Sequence, residues 1–224
     1  MKIKTTACLL VVLFLLAGCF DRDSVNHVHK IYIKKINGKY ILYRYGKPFI
    51  IKGAAGSTNL DVLSACGGNT IRIWDTVGID TVLQQANKNH LAVVIGLPMP
   101  DSKFMAYYNN PANVAAQFAA FKKLVDKYKS NPAVLMWCVG NELVFPSGRS
   151  YNGFYNAFNN IVTMIHQTDP DHPITTTIIN FQKKNIFNIK LRTDIDIISF
   201  NMFGRLNYLR DDLRNFSWFW KGPT

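Results

Sequence analysis

With 224 residues, 48% of them hydrophobic and 18% charged, the chain has the balance of a folded domain with a core, and disorder is excluded. The formal charge is +12; Lys2 and Lys4 lie in a leader without acids, so its loss leaves 24 basic minus 14 acidic residues, or +10. The basic residues form scattered doublets (Lys34-Lys35, Lys122-Lys123, Lys183-Lys184) rather than a stripe, which argues for solvated surface and against a nucleic-acid partner.

Residues 1–18 read as an export signal. Lys2 and Lys4 supply the positive start, and the apolar run from Ala7 to Ala17 is too short to cross a bilayer as a helix. Leu16-Ala17-Gly18-Cys19 resembles a bacterial lipobox, which implies cleavage before Cys19, a lipid on its thiol, and a protein exported and anchored at the cell envelope, on the periplasmic or outer-membrane face. Residues 19–30 are polar and read as a tether; His27 and His29 there are a solvated pair rather than a metal site. Of the other cysteines, Cys8 leaves with the leader. Cys66 and Cys138 could pair in an oxidising compartment, but two cysteines make no disulfide framework, and buried free thiols are the expectation.

From Ile31 the pattern is strand-like. Two β-rich runs flank Asn37-Gly38, the strongest short hairpin signal, and Gly46-Lys47-Pro48 turns the chain again, so residues 31–48 are read as a β-hairpin lead-in. After it, apolar runs alternate with helical patterns. Strands are expected at 49–53, 70–74, 91–97, 134–139, 174–178 and 195–201, and helices near 59–66, 79–89, 111–129, 151–167, 185 and 208–215. Asn110-Pro111 opens the third of these helices with a cap and an N-terminal proline. Continuously hydrophobic strands separated by helices imply a parallel sheet covered on its outer face. Gly53-Ala54-Ala55-Gly56-Ser57 has neither dinucleotide-loop nor P-loop spacing, so no nucleotide cofactor is expected. The fold class is therefore α/β: an incomplete (β/α)8 TIM barrel of about six βα units over residues 49–224, two units short of closure. Such a sheet would leave two open edges and an unfilled interior.

In parallel barrels the working residues sit at the C-terminal ends of strands. The second strand ends Arg72-Ile73-Trp74, and alternation turns Arg72 and Trp74 to one face, suited to holding a carboxylate ionised and stacking a flat ring. The fourth ends in Asn141-Glu142 after a long hydrophobic run. Glu142 is the one glutamate beside 13 aspartates, and a carboxyl group half-buried at such a place suits general acid work near neutral pH. The alternative at these two positions is a helix start, with Asn141 as N-cap.

Several segments together resemble the catalytic barrel of family 2 glycoside hydrolases and its family 5-like relatives: Phe49 to Gly53, Gly67 to Trp74, Asn131 to Glu142 with Trp137 and Asn141-Glu142, and Asp194 to Asn201. The resemblance implies a retaining glycosidase in which Glu142 is the acid/base, Asn141 holds a sugar hydroxyl and Arg72 steadies the nucleophile. Trp74, Asn201 and Phe203 would contact an oligo- or polysaccharide, with no metal and no cofactor. The sequence departs from the family pattern in two places. Phe203 stands where a tyrosine is usual, and the nucleophilic glutamate expected on a seventh strand has no counterpart, since Asp75, Asp101 and Asp211-Asp212 fall elsewhere. The chain is accordingly expected to be a truncated form, weakly active or inactive and marginally stable. The alternatives are a non-catalytic carbohydrate-binding surface lipoprotein, keeping an aromatic cleft of Trp74, Trp137 and Phe203, and a structural lipoprotein without a ligand.

Overall fold

The computed structural model describes residues 30–204, 206–216 and 220–224; the leader, Cys19 and the tether up to residue 29 lie outside the described residues. The chain begins with a three-stranded antiparallel sheet, β1 (Ile31–Ile36), β2 (Lys39–Arg44) and the two-residue β3 (Lys47–Pro48), in that order. Its tight turns are Asn37-Gly38 and Tyr45-Gly46, and all four residues have positive φ. Such a turn matches the twist of the strands it joins, which is why glycine recurs there. The lead-in thus has a short third strand at Lys47–Pro48, where the sequence suggested only a turn, while Ile50 and Ile51 beyond it are exposed and belong to no strand.

Six parallel strands follow in sequential order: β4 (Gly53–Ala55), β5 (Thr70–Ile73), β6 (Ala92–Leu97), β7 (Val134–Val139), β8 (Ile174–Ile179) and β9 (Ile197–Asn201). The helices between them are α1 (Leu60–Ala65), α2 (Ile79–Lys88), the short α3 (Met105–Tyr108) and α4 (Pro111–Tyr128), then α5 (Asn152–Thr168), α6 (Lys183–Arg192) and α7 (Leu209–Phe216). The sheet curls into a partial barrel, as the succession of βα units predicts. The first strand lies later than the expected 49–53, because the extended chain pairs only where Gly53 meets Thr70, whose carbonyl leaves no room for a side chain at Gly53. Asn110 caps α4 as anticipated, its side chain accepting from the Ala112 N–H at 3.0 Å.

Strand alternation divides the apolar residues into two cores. Outward-facing Ile71, Ile73, Val93, Ile95, Leu97, Trp137, Val139, Ile174, Ile178 and Ile198 pack under the helices in one large cluster. Inward-facing Val94, Met136, Cys138 and Ile197 form a smaller one with Ile31, and Ile33, Leu42 and Phe49 of the lead-in sheet pack on it. The lead-in sheet thus floors the partial barrel at the N-terminal ends of its strands, tied there by Ile31 N–H to the Asp171 carbonyl and by the Arg44 guanidinium to the Pro132 carbonyl at 2.8 Å. A cavity of about 300 Å³ remains inside, bounded by Gly53 to Ala55, Arg72, Met136 and Ser199. On the β9 side, Ile198 N–H donates to the Pro223 carbonyl.

Both Cys66 and Cys138 are free thiols. Cys138 is buried as expected, and burial raises its pKa while Arg72 beside it pulls the other way. Cys66 is exposed, because it caps the end of α1 at the surface rather than packing under it. No helix among the described residues is long and apolar enough to cross a membrane.

Candidate active site

The mouth of the partial barrel is built by the last inward-facing residue of each strand and the turns that follow. β7 runs out through Gly140 (φ 75), Asn141 and Glu142 (φ 55). A side chain at Gly140 would collide with Leu143 at 2.2 Å, so glycine permits the turn that brings Asn141 and Glu142 over the strand ends. No helix starts here; the next helical turn is at Arg149–Tyr151, so the helix-start reading of Asn141 is overturned. The loop is instead held by buried anchors and backbone contacts. Leu143 and Phe145 are buried, Phe145 packing edge-on against Phe154 and Phe158. Val144 N–H donates to Asp101, and Phe145 N–H to the Asn185 side chain.

The polar side chains at the mouth form one network. Arg72, half-buried at the end of β5, donates through Nη2 to Asn141 Oδ1 at 2.7 Å and to Thr177 Oγ1 at 3.2 Å, and through Nη1 to Asn201 Oδ1 at 3.3 Å. Its Nε is buried without a partner. Asn201 in turn donates through Nδ2 to Glu142 Oε1 at 2.7 Å. Thr177 accepts the Glu142 N–H at 3.1 Å and donates to Asn141 Oδ1 at 3.3 Å. On β6, between the strands that carry Arg72 and Asn141, Gly96 packs close against the end of β5, where a side chain would meet the Trp74 carbonyl oxygen at 2.5 Å.

Four of the six residues singled out from the sequence, Arg72, Asn141, Glu142 and Asn201, therefore meet. Trp74 and Phe203 do not join them. Both project from loops just past their strands and are 48% and 62% exposed, and the Phe203 N–H donates to Asn180 Oδ1. Trp137 faces the other way: it is wholly buried on the helix side, its indole N–H on Asp169 Oδ2 at 2.7 Å, so it lines no cleft. Its odd position in β7, beside inward-facing Met136 and Cys138, sets that direction. Thr177 was not singled out, although Ile174-Thr175-Thr176-Thr177-Ile178 carries the signal: hydroxyls at alternate positions in a buried strand must face a polar interior.

The aspartates weighed as substitutes for a second carboxylate lie in other contexts. Asp75 accepts from Val77 N–H, Asp101 from Lys103 N–H and Val144 N–H, and Asp211 and Asp212 open α7. Among the described residues no group of three or more His, Cys, Asp or Glu side chains is placed to hold a metal ion. The mouth thus presents one carboxyl group, Glu142, gripped by an amide, beside a guanidinium whose partners are all neutral.

No curated protein sequence matches the chain. Among solved structures, it resembles a β-D-glucuronidase of Dictyoglomus thermophilum with a TM-score of 0.61 and 18% identity, over 86% of this chain and 38% of that one. A β-glucuronidase of Bifidobacterium dentium gives 0.62 and 16%, over 86% and 34%, and a family 2 β-galacturonidase of Eisenbergiella tayi gives 0.63 and 14%, over 83% and 35%. At these identities the likeness is one of fold, and the chain spans well under half the length of each structure. Residues 68–218 match the model of glycosyl hydrolases family 2, TIM barrel domain, a stretch that runs from the approach to β5 through α7 and includes the whole polar network. The chain belongs to glycosyl hydrolases family 2, through its TIM barrel domain.

Proposed function

We propose that this chain carries the acid/base machinery of a retaining glycoside hydrolase acting on O-glycosidic bonds of carbohydrates. One observation supports this most: the only glutamate sits at the mouth with Oε1 on the Asn201 amide at 2.7 Å, next to an Arg72 whose hydrogen-bond partners among the described residues are all neutral. A retaining reaction uses two carboxyl groups about 5–5.5 Å apart. Glu142 is the acid that protonates the departing oxygen and then the base that activates water. The other carboxylate attacks the anomeric carbon and comes from outside the network described above. Arg72 is where it would be steadied, because a half-buried guanidinium bonded only to neutral groups is an uncompensated charge. Asn141, exposed beside Glu142, is free on its nitrogen side for a sugar hydroxyl.

With one carboxylate in place, weak or no hydrolysis is expected from these residues unless a carboxylate is supplied. Formate provides one. Its oxygen bonds to the anomeric carbon as the glycosidic C–O bond breaks, and the leaving oxygen takes the Glu142 proton. The relatives' sugars set the panel: phenyl and dinitrophenyl β-glucuronides, β-galacturonides and β-galactosides. Formate should support cleavage, and Glu142→Gln should abolish it for the phenyl glycosides, whose departure needs a proton, while sparing the dinitrophenyl ones. No cleavage of any member, with or without formate, would sink the reading and favour the non-catalytic carbohydrate-binding alternative.

A lipid on Cys19 and attachment to the cell envelope complete the proposal, supported by Leu16-Ala17-Gly18-Cys19. Expression in a bacterial host should place the chain in the membrane fraction with a diacylglyceryl mass on the peptide that begins at Cys19, and Cys19→Ala should release it. An unmodified Cys19 would rule the anchor out.

A further inference from the structure

We propose that Thr177 is a positioning residue that fixes the backbone of Glu142 and, with it, the direction from which its carboxyl group meets a glycosidic oxygen. The inference rests on the acid/base reading of Glu142. It starts from strain. Glu142 has φ 55, a left-handed conformation that a side chain larger than glycine's disfavours, and such a conformation persists at functional sites only when its surroundings over-determine it. The group that does so is the Thr177 hydroxyl, to which the Glu142 N–H donates at 3.1 Å.

That hydroxyl is fully committed. A threonine oxygen can accept two hydrogen bonds and donate one. Here it accepts from Glu142 N–H and from Arg72 Nη2, and gives its proton to Asn141 Oδ1 at 3.3 Å. One atom therefore orients three groups of the site from a strand that carries none of them. Its own freedom is small: Thr177 is 2% exposed, in register with Ser199 of β9. The contacts form a ring through Thr177, Glu142, Asn201 and Arg72, so loosening the hydroxyl loosens the Asn201 grip on Glu142 Oε1 as well.

The single glutamate makes this measurable without any turnover. Labelling the full chain with 15N-glutamate gives one glutamate backbone amide in the spectrum, that of Glu142. Thr177→Val keeps the side chain's shape and removes the acceptor. The Glu142 amide proton should move upfield and exchange with solvent at least tenfold faster, while Thr177→Ser should restore both. An unchanged shift and exchange rate in the folded Val variant overturns the proposal. Should Thr177→Val fail to fold, Thr177→Cys, whose thiol is a weak acceptor, tests the same point through the same shift and exchange rate. In the formate-supported assay the Val variant should lose kcat at least tenfold with KM within twofold, and Ser should recover it. If the unsubstituted chain cleaves nothing, the acid/base reading fails alone, and the Glu142 amide still decides whether Thr177 holds that backbone.

Discussion

The two ends of the partial barrel are built from the same inward-facing columns, yet they differ in kind. Climbing β7, Met136 gives way to Cys138 and then to Asn141; climbing β9, Ile197 gives way to Ser199 and Asn201; β5 and β8 rise from Thr70 to Arg72 and from Thr175 to Thr177. At the floor, Ile31, Ile33, Leu42 and Phe49 cover Val94, Met136 and Ile197, and the contact is apolar. At the mouth the same columns end in a hydrogen-bonded network around a guanidinium whose partners among the described residues are neutral. Floor residues gain from burial. Mouth residues are expected to cost stability, because the half-buried Arg72 charge meets only neutral hydrogen-bond partners among the described residues. The difference separates what holds the molecule together from what it works with.

The sharpest way to break that comparison is at Arg72. Arg72→Met keeps the length of the side chain and removes the charge. We expect formate-supported cleavage to fall by a factor on the order of 100 or more, about 2.7 kcal/mol of transition-state stabilisation, as when one electrostatic donor is lost from a site. The urea midpoint should stay the same or rise, since replacing an uncompensated charge with an apolar side chain is often neutral or favourable. A large loss of stability would show that Arg72 belongs to the frame rather than to the site.

The reciprocal change is at the floor. Met136 is 5% exposed and faces Ile197 and the lead-in sheet, bordering a cavity of about 270 Å³. Met136→Ala should cost about 2 kcal/mol, the low end for such a truncation because some of the empty space already exists. The Glu142 amide in the selectively labelled protein should keep its shift, as Met136 makes no hydrogen bond to the network through its side chain and meets it only across the interior cavity. A shifted amide would mean that floor and mouth are coupled, and that the division between them is too clean.

Much of this division is legible in the sequence. The six βα units, the glycine turn at Asn37-Gly38, the Asn110 cap, and the meeting of Arg72, Asn141, Glu142 and Asn201 follow from periodicity, turn chemistry and a recognisable motif series. What is not legible there depends on direction and on long-range contact. Trp137 looks like a sugar platform because it precedes Asn141-Glu142, but its position in β7 turns it under the helices and onto Asp169. Cys66 looks buried because it ends an apolar stretch, yet it caps a helix at the surface. Thr177 escapes notice because the run Thr175-Thr176-Thr177 signals a polar interior but not which hydroxyl the site uses, until three partners converge on one of them. The first strand shifts because Phe49 to Ile51 are apolar for different reasons: Phe49 packs on the floor cluster, while Ile50 and Ile51 are exposed ahead of the pairing that starts at Gly53.

The smallest expected effect tests the comparison through pH. His166, at the end of α5, lies within 3.1 Å of Asp196, whose carboxylate also accepts the Ile174 N–H at the start of β8, so the pair sits at the floor end. The hydrogen bond to Asp196 raises the pKa of His166, with the charges of Asp196 and Asp194 adding to it and burial opposing it. A histidine whose folded value is raised contributes stability that is fully present below its unfolded value, near 6.5, and is lost as the pH climbs through the folded one. The side chains are 39% and 35% exposed, so solvent screens the pair and its worth should stay under about 1 kcal/mol. The stability gap between the native chain and His166→Gln should therefore be present at acidic pH and close as the pH rises above the folded value of His166. It should also shrink with added salt, because an exposed pair is screened. The Glu142 amide should be the same in both proteins at every pH. A gap that widens on the alkaline side would reverse the sign assigned to the pair. An amide that follows His166 would show that a titrating residue at the floor is coupled to the mouth, against the division drawn between the two ends.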